Sequence, residues 1–165
     1  MKTVGIIGGI GPESTIEYYR GIVAVYRERQ TDGSYPSIIL NSINLKVLID
    51  LITANELQRA ADHLVDQLQP LAHAGVDFGV IAAGTPHIVF DEVRARSPIP
   101  LISIVEATCD AAVELNLKKI ALFGTRFTMQ GSFYQSVFAK AGITLVVPEP
   151  DEQEYIHDKY MNDLV

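Results

Sequence analysis

The sequence has a single cysteine, Cys109, among its 165 residues. A disulfide framework within the chain and a thiolate metal cluster are therefore excluded. It has no run of lysine or arginine, and its net charge is −7. Such a chain repels phosphate backbones, so a nucleic-acid partner is not expected. It also lacks a long hydrophobic run. The apolar stretch after Met1-Lys2-Thr3-Val4 ends in glycines within a few residues and carries no signal-peptide cleavage pattern. A membrane partner is not expected, and a reducing cytoplasm is the expected setting. The histidines, His63, His73, His87 and His157, are scattered along the chain, which argues against a metal site. A Walker lysine loop, a G-x-S-x-G elbow and an H-E-x-x-H helix are all missing.

What is present is enough to build a core. The hydrophobic share is 48% and the charged share 20%, a balance that belongs to folded rather than disordered chains. The run V-G-I-I-G at 4–8 reads as a buried strand. Ser14-Thr15-Ile16-Glu17 has capping-box spacing, which predicts a helix over 14–30. A strand is expected at 37–43. Asn55, with Gln58 three residues on, is expected to cap the next helix, whose stripe is Leu57, Ala61, Leu64, Val65, Leu68, Leu71 and Ala72. Pro70 is expected to kink its last turn, and Gly75 to take the left-handed position after it. A continuously apolar strand at 77–83 and a short helix at 86–96 follow.

The stretch Ser97-Pro98-Ile99-Pro100 reads as a stiff linker. Beyond it the pattern repeats: strand 101–105, helix 107–116, strand 119–123, helix 128–141, strand 143–147 and helix 151–165. Strands alternating with helices indicate α/β architecture with parallel sheets and right-handed crossovers. Two domains are expected, 1–97 and 101–165. V-G-I-I-G-G opens the first and I-A-L-F-G-T opens a comparable turn in the second. The second lacks a counterpart of the strand at 77–83, so it is expected to be incomplete.

In open α/β sheets ligands bind beyond the carboxyl ends of the strands, and three turns there carry chemistry. Gly8-Gly9-Ile10-Gly11-Pro12-Glu13-Ser14 imitates a dinucleotide fingerprint poorly: Ser14 stands where a third glycine belongs, and Pro12 removes a donor. The turn reads either as a tight strand-to-helix connection or as a carboxylate cradle of N–H groups. In Ala83-Gly84-Thr85-Pro86-His87, Gly84 permits close backbone approach, Thr85 offers a hydroxyl and His87 titrates near neutral pH. His87 is either a structural hydrogen-bonding group or a ligand contact. In Gly124-Thr125-Arg126-Phe127-Thr128, the Arg126 fork suits a carboxylate. Alternatively, Thr128 caps the helix and Arg126 is solvated. Cys109, within a predicted helix beside Ala111 and Ala112, is expected to be packed and inert.

At these turns the chain resembles the aspartate/glutamate racemases. The resemblance lies in M-K-T-V-G-I-I-G-G-I-G-P-E-S-T-I-E-Y-Y-R at 1–20, I-A-A-G-T-P-H-I-V-F-D-E-V at 81–93, I-A-L-F-G-T-R-F-T-M at 120–129 and P-E-P-D-E-Q-E-Y-I-H-D-K at 148–159. It implies two Rossmann-like parallel-sheet domains related by pseudo-symmetry, a cofactor-independent isomerase of amino acid metabolism, and a homodimer. It also implies a two-base racemisation of an acidic amino acid, in which one thiol takes the Cα proton and another returns one on the opposite face. By the resemblance Ile10, Gly84, Thr85, Thr125, Arg126 and Thr128 are substrate-binding positions, with His87 a further candidate. The chain departs from the family at Ala83, because the family reads C-N-T where this sequence has Ala83-Gly84-Thr85. The second catalytic cysteine, in a G-C-T-E turn, is expected beyond residue 165. The expectation is therefore an aspartate racemase-like pseudoenzyme, inactive as this chain. The alternative is a non-catalytic module for small-carboxylate binding or dimerisation.

Overall fold

The computed structural model describes residues 2–164, and they divide into two units: one of 2–83 with 89–102, the other of 84–88 with 103–164. The first unit holds β1 (Thr3–Gly8), α1 (Pro12–Arg29), β2 (Ser37–Ser42), α2 (Leu45–Thr53), α3 (Leu57–His73), β3 (Phe78–Ile81), α4 (Phe90–Arg96) and β4 (Leu101–Ile102). Its sheet has the order β2-β1-β3-β4, and each neighbouring pair is parallel. From β1 the chain runs outward to β2, then returns to place β3 on the other side of β1. The switch point of the sheet therefore lies between the carboxyl ends of β1 and β3, the place where α/β sheets hold ligands. The central strands β1 and β3 are apolar because both their faces are covered: Ile6, Ile7 and Ile81 are fully buried.

Helix α3 shows how the sequence pattern becomes packing. Ala60, Ala61, Leu64, Val65, Leu68 and Leu71 are buried along one face, and burying each leucine contributes roughly 1.5–3 kcal/mol. Pro70 sits inside this helix, which continues to His73. Asn55 does not cap α3. Its φ of 56° places it in the left-handed turn after α2, and Glu56 takes the cap position. Helix α2 itself is not anticipated by the sequence pattern. Its signals are Asn44, whose side chain accepts from the Lys46 N–H at 2.9 Å, the Lys46–Asp50 ion pair, and buried Leu48 and Ile52 four residues apart.

Two further expectations are corrected. The capping box at Ser14 does not form. Helix α1 starts at Pro12 with Gly11 as its N-cap and no side-chain cap bond, so Ser14 lies inside the first turn, where its hydroxyl donates to the Ala82 carbonyl at 3.0 Å. The proline stretch at 97–100 is built into the fold rather than linking two domains. Ile99 is buried, the Gly79 N–H donates to the Pro100 carbonyl at 2.8 Å, and β4 completes the first sheet. Accordingly, 101–102 belongs to the first unit and 84–88 to the second.

The second unit holds α5 (Ile104–Glu114), β5 (Lys119–Ala121), α6 (Arg126–Gln130), α7 (Ser132–Lys140), β6 (Thr144–Val146) and α8 (Pro150–Lys159), followed by a π-helical turn, Tyr160–Leu164. The helix expected over 128–141 is two helices, broken where Gly131 adopts extended backbone. The strand expected at 101–105 is cut short because Ser103 caps α5, accepting from the Glu106 N–H at 3.2 Å. Strands β5 and β6 form a parallel two-stranded sheet. Val105, Cys109, Ala112, Phe138 and Ile143 form the core, flanked by Ile120 and Leu145. Gln153 joins α6 to α8: it accepts from Gln130 at 3.1 Å and donates to the Pro148 carbonyl at 2.8 Å. Among the described residues no helix is long and apolar enough to cross a membrane.

Candidate functional site

The turn after β1 is closed by its own groups. The Gly9 N–H donates to Thr15 Oγ1 at 3.0 Å, and that hydroxyl donates to the Gly11 carbonyl at 3.1 Å. The Gly9 donor is thus spent inside the turn, which favours a tight connection over an open cradle of N–H groups. Gly9 has φ +76°, and a Cβ there would lie 2.5 Å from the Ile43 carbonyl oxygen. Ile10 is buried. The Ser14–Ala82 bond spans the switch point and holds the end of β3, so the next residue, half-buried Ala83, leaves the sheet at a fixed place.

Gly84 opens the segment that belongs to the second unit. Its carbonyl accepts from the His87 N–H at 3.0 Å, starting the 3-10 turn Thr85–Val89 in which His87 is buried. Thr85 is paired with a residue forty positions on: its Oγ1 lies 2.8 Å from Thr125 Oγ1, and Thr125 Oγ1 lies 3.3 Å from Thr128 Oγ1. These threonines are only 5–7% exposed. Thr125, not Thr128, is the cap of α6, accepting from the Thr128 N–H at 3.4 Å. The cap is local chemistry, but the Thr85 bond is tertiary and draws the 84–88 segment into this unit.

The row of hydroxyls has an uneven proton count. Each threonine brings one donor proton, so two mutual bonds consume two of the three. The remaining proton belongs to Thr85, Thr125 or Thr128, according to which hydroxyls donate within the row.

Arg126 stands apart from the row. Its side chain is exposed, with the guanidinium 5.1 Å from the centroid of the Phe127 ring. Its backbone N–H donates to His157 Nδ1 at 3.4 Å, and the His157 ring meets Phe127 edge-on at 6.0 Å. Burial holds the His157 pKa below its ordinary value. The nearby Arg126 charge lowers it further, and Asp158 partly opposes the shift. Cys109 is buried on α5, where desolvation first and the Asp110 charge second push its thiol pKa up. Such a thiol is a packing group rather than a nucleophile. Among the described residues no group of three or more His, Cys, Asp or Glu side chains could hold a metal ion.

The structure therefore gathers Gly84, Thr85, Thr125 and Thr128 from the residues singled out in the sequence. It leaves Arg126 exposed and places Ile10 in the core.

The model of the family Asp/Glu/Hydantoin racemase matches residues 7–163. Over 166 residues the chain is 26% identical to the broad specificity amino-acid racemase RacX of Bacillus subtilis, covering 98% of this chain and 67% of that protein. Among solved structures, a Yersinia pestis protein assigned to the Asp/Glu racemases superposes with a TM-score of 0.85 at 33% identity, over 98% of this chain and 70% of that one. An aspartate racemase homologue from Pyrococcus horikoshii superposes with a TM-score of 0.83 at 33% identity, over 99% of this chain and 72% of that one. The parallel sheets, the glycine and threonine turns and these matches converge: the chain belongs to the Asp/Glu/hydantoin racemase family.

Proposed function

We propose that this protein binds a small acidic amino acid through its carboxylate at the hydroxyl row of Thr85, Thr125 and Thr128, and does not itself run a two-thiol racemisation. The observation that carries the reading is the 2.8 Å bond between Thr85 and Thr125. It brings buried hydroxyls together at the turn where the family resemblance places substrate. Arg126, exposed at the start of α6, supplies positive charge to attract the anion. The choice of an acidic substrate draws on the aspartate racemase homologue among the relatives.

The inactivity follows from proton chemistry. Inverting a stereocentre requires an acid and a base on opposite faces of one carbon. The side chain at Ala83 is a methyl group with no proton to exchange, and Cys109 is committed to the core. Nuclear magnetic resonance of L- and D-aspartate and glutamate in D₂O is expected to show no deuterium at Cα above a no-protein control. Thermal unfolding in the same ligands is expected to shift upward. At a ligand concentration a hundredfold above Kd, binding adds about 2.7 kcal/mol, or roughly 5–10 °C for a chain of this size. Exchange above the control would overturn the inactivity, and an unmoved midpoint at saturating ligand would overturn the binding.

The same reading carries a homodimer in a reducing cytoplasm. Phe123 is 62% exposed and Val146 40%. Phe123 follows β5 and Val146 ends β6, and the edges of this two-stranded sheet invite pairing. Light scattering at high concentration is expected to give twice the mass of the 18.1 kDa chain. A clean monomer would refute the dimer.

A further inference from the structure

We propose that a second copy of this chain docks along α1, the two α1 helices pairing antiparallel through the row Glu17, Gly21, Val25 and Arg29. The inference rests on the homodimer reading above and deepens it by naming the face that meets.

A helix that covers a sheet normally buries one apolar stripe. Among the eighteen described residues of α1, Thr15 alone is buried. Tyr18 and Ile22 are partly buried against Val4, Ile6, Val80 and Ala82 of the sheet. Beside them the helix leaves a groove of about 650 Å³, bordered by Gly21 and Val25, with Glu17 towards one end and Arg29 towards the other. Val25 is 46% exposed. Gly21 is exposed as well, and a glycine inside a helix is destabilising relative to alanine. Its own chain does not require it: a Cβ on Gly21 would meet no described atom within 4 Å. A bare position on an exposed helix lets a facing helix approach more closely than any side chain would, since the side chains at the contact set the distance between axes.

The row itself selects a second copy as the occupant. Glu17, Gly21, Val25 and Arg29 lie four residues apart, so they form one ridge of the helix, about 18 Å long at 1.5 Å per residue. Read in the opposite direction the ridge is its own complement. About a two-fold axis level with Val23, Glu17 faces the second copy's Arg29, and Gly21 faces its Val25. Each contact then occurs twice, as an isologous interface demands. A shift by one turn sets Gly21 against Gly21 and Val25 against Glu17, so the ridge carries its own register. A parallel pair would oppose Glu17 to Glu17 and Arg29 to Arg29. Glu17 already meets Arg20 at 2.7 Å, but the two side chains are 70% and 71% exposed. An exposed pair of that kind is worth little, so the carboxylate is able to turn to Arg29.

The experiment is sedimentation equilibrium of the full chain over a range of concentrations, with thermal unfolding of each variant in dilute protein, where pairing adds nothing to stability. Gly21→Leu fills the notch with a better helix former. It is expected to weaken self-association at least tenfold while the unfolding midpoint holds or rises, a combination that a merely structural glycine would not give. Glu17→Arg and Arg29→Glu each oppose like charges twice across the pair and are expected to weaken it about tenfold. The double variant exchanges the two charges and is expected to restore association. The strand edge of β6 is the competing face, and Val146→Lys tests it. Weakening by Val146→Lys, with Gly21→Leu and both single charge variants associating like the wild type, overturns the α1 contact and leaves the homodimer standing. Single charge variants that weaken without restoration in the double overturn the antiparallel register. A wild type that stays monomeric overturns the homodimer and the α1 contact together.

Discussion

Ala83→Cys is expected to give the protein proton exchange without inversion. Residue 83 leaves the sheet at the switch point, held by the Ser14 bond to the Ala82 carbonyl at 3.0 Å. A thiol placed there has an ordinary pKa near 8.5, so a few per cent is thiolate at neutral pH. A single base removes the Cα proton from one face and can return a proton only to that same face. Deuterium should therefore enter Cα of one enantiomer of the bound amino acid while its handedness is kept. A positioned general base contributes about 10²-fold or more, so wash-in should rise by roughly that factor over the wild type. Chiral chromatography of the same samples should show no interconversion. Inversion at a comparable rate would mean that a second acid–base group faces the substrate. No wash-in, with binding retained, would mean that position 83 is not beside the reacting carbon.

The largest stability loss is expected at Gly9→Ala, about 3 kcal/mol or more. Two costs combine there. The backbone at φ +76° is a left-handed conformation, which costs an alanine roughly 1–2 kcal/mol. The added Cβ would also lie 2.5 Å from both the Ile43 carbonyl oxygen and Ser42 Oγ, and 2.8 Å from the Ile43 nitrogen. Those atoms are the exit of β2, tied back by the Ile43 N–H to the Gly8 carbonyl at 2.8 Å, so relief means breaking that bond. Gly11→Ala separates the two costs. Gly11 has φ +103°, but its nearest neighbour would be Ser14 Cβ at 3.6 Å, so only the conformational part is expected. Urea unfolding with unchanged slope measures both. Equal losses in the two variants would show that the clash with β2 contributes nothing.

The expected results depend on different levels of what the sequence discloses. Buried parallel strands announce themselves, because coverage of both faces forces a continuous apolar run, as in V-G-I-I-G and F-G-V-I. Helix α3 is equally plain, since its leucines recur at the period of a helix with one buried face. Helix α2 is hidden because Val47, Leu48, Ile49, Leu51 and Ile52 crowd a nine-residue stretch with apolar and β-branched side chains that suit a strand as well. Ser14 misleads for another reason. Its spacing to Glu17 is that of a cap, but the helix already begins at Pro12, and the hydroxyl donates to the carbonyl of Ala82, 68 residues away and just past β3. Local pattern competes with tertiary partner there, and the partner prevails.

The candidate site divides in the same way. Its glycines and threonines are legible because turns at strand ends need small residues and hydroxyls. The bond from Thr85 to Thr125 joins segments forty residues apart, and no spacing rule encodes it. Arg126 shows the reverse. Its composition advertises an anion site, while in the structure the guanidinium lies over Phe127.

The allocation of residues 84–88 to the second unit has a consequence for how this protein can be recombined. A crossover at the prolines of 97–100, which look like a natural seam, would graft a C-terminal half without the pentapeptide that supplies Thr85, and Thr125 would meet a foreign residue across the junction. The lobes are woven rather than concatenated. Chimeras between family members should therefore keep 84–88 and 103–165 from the same parent, and hybrid libraries that ignore this will lose the hydroxyl pairing before they lose the fold.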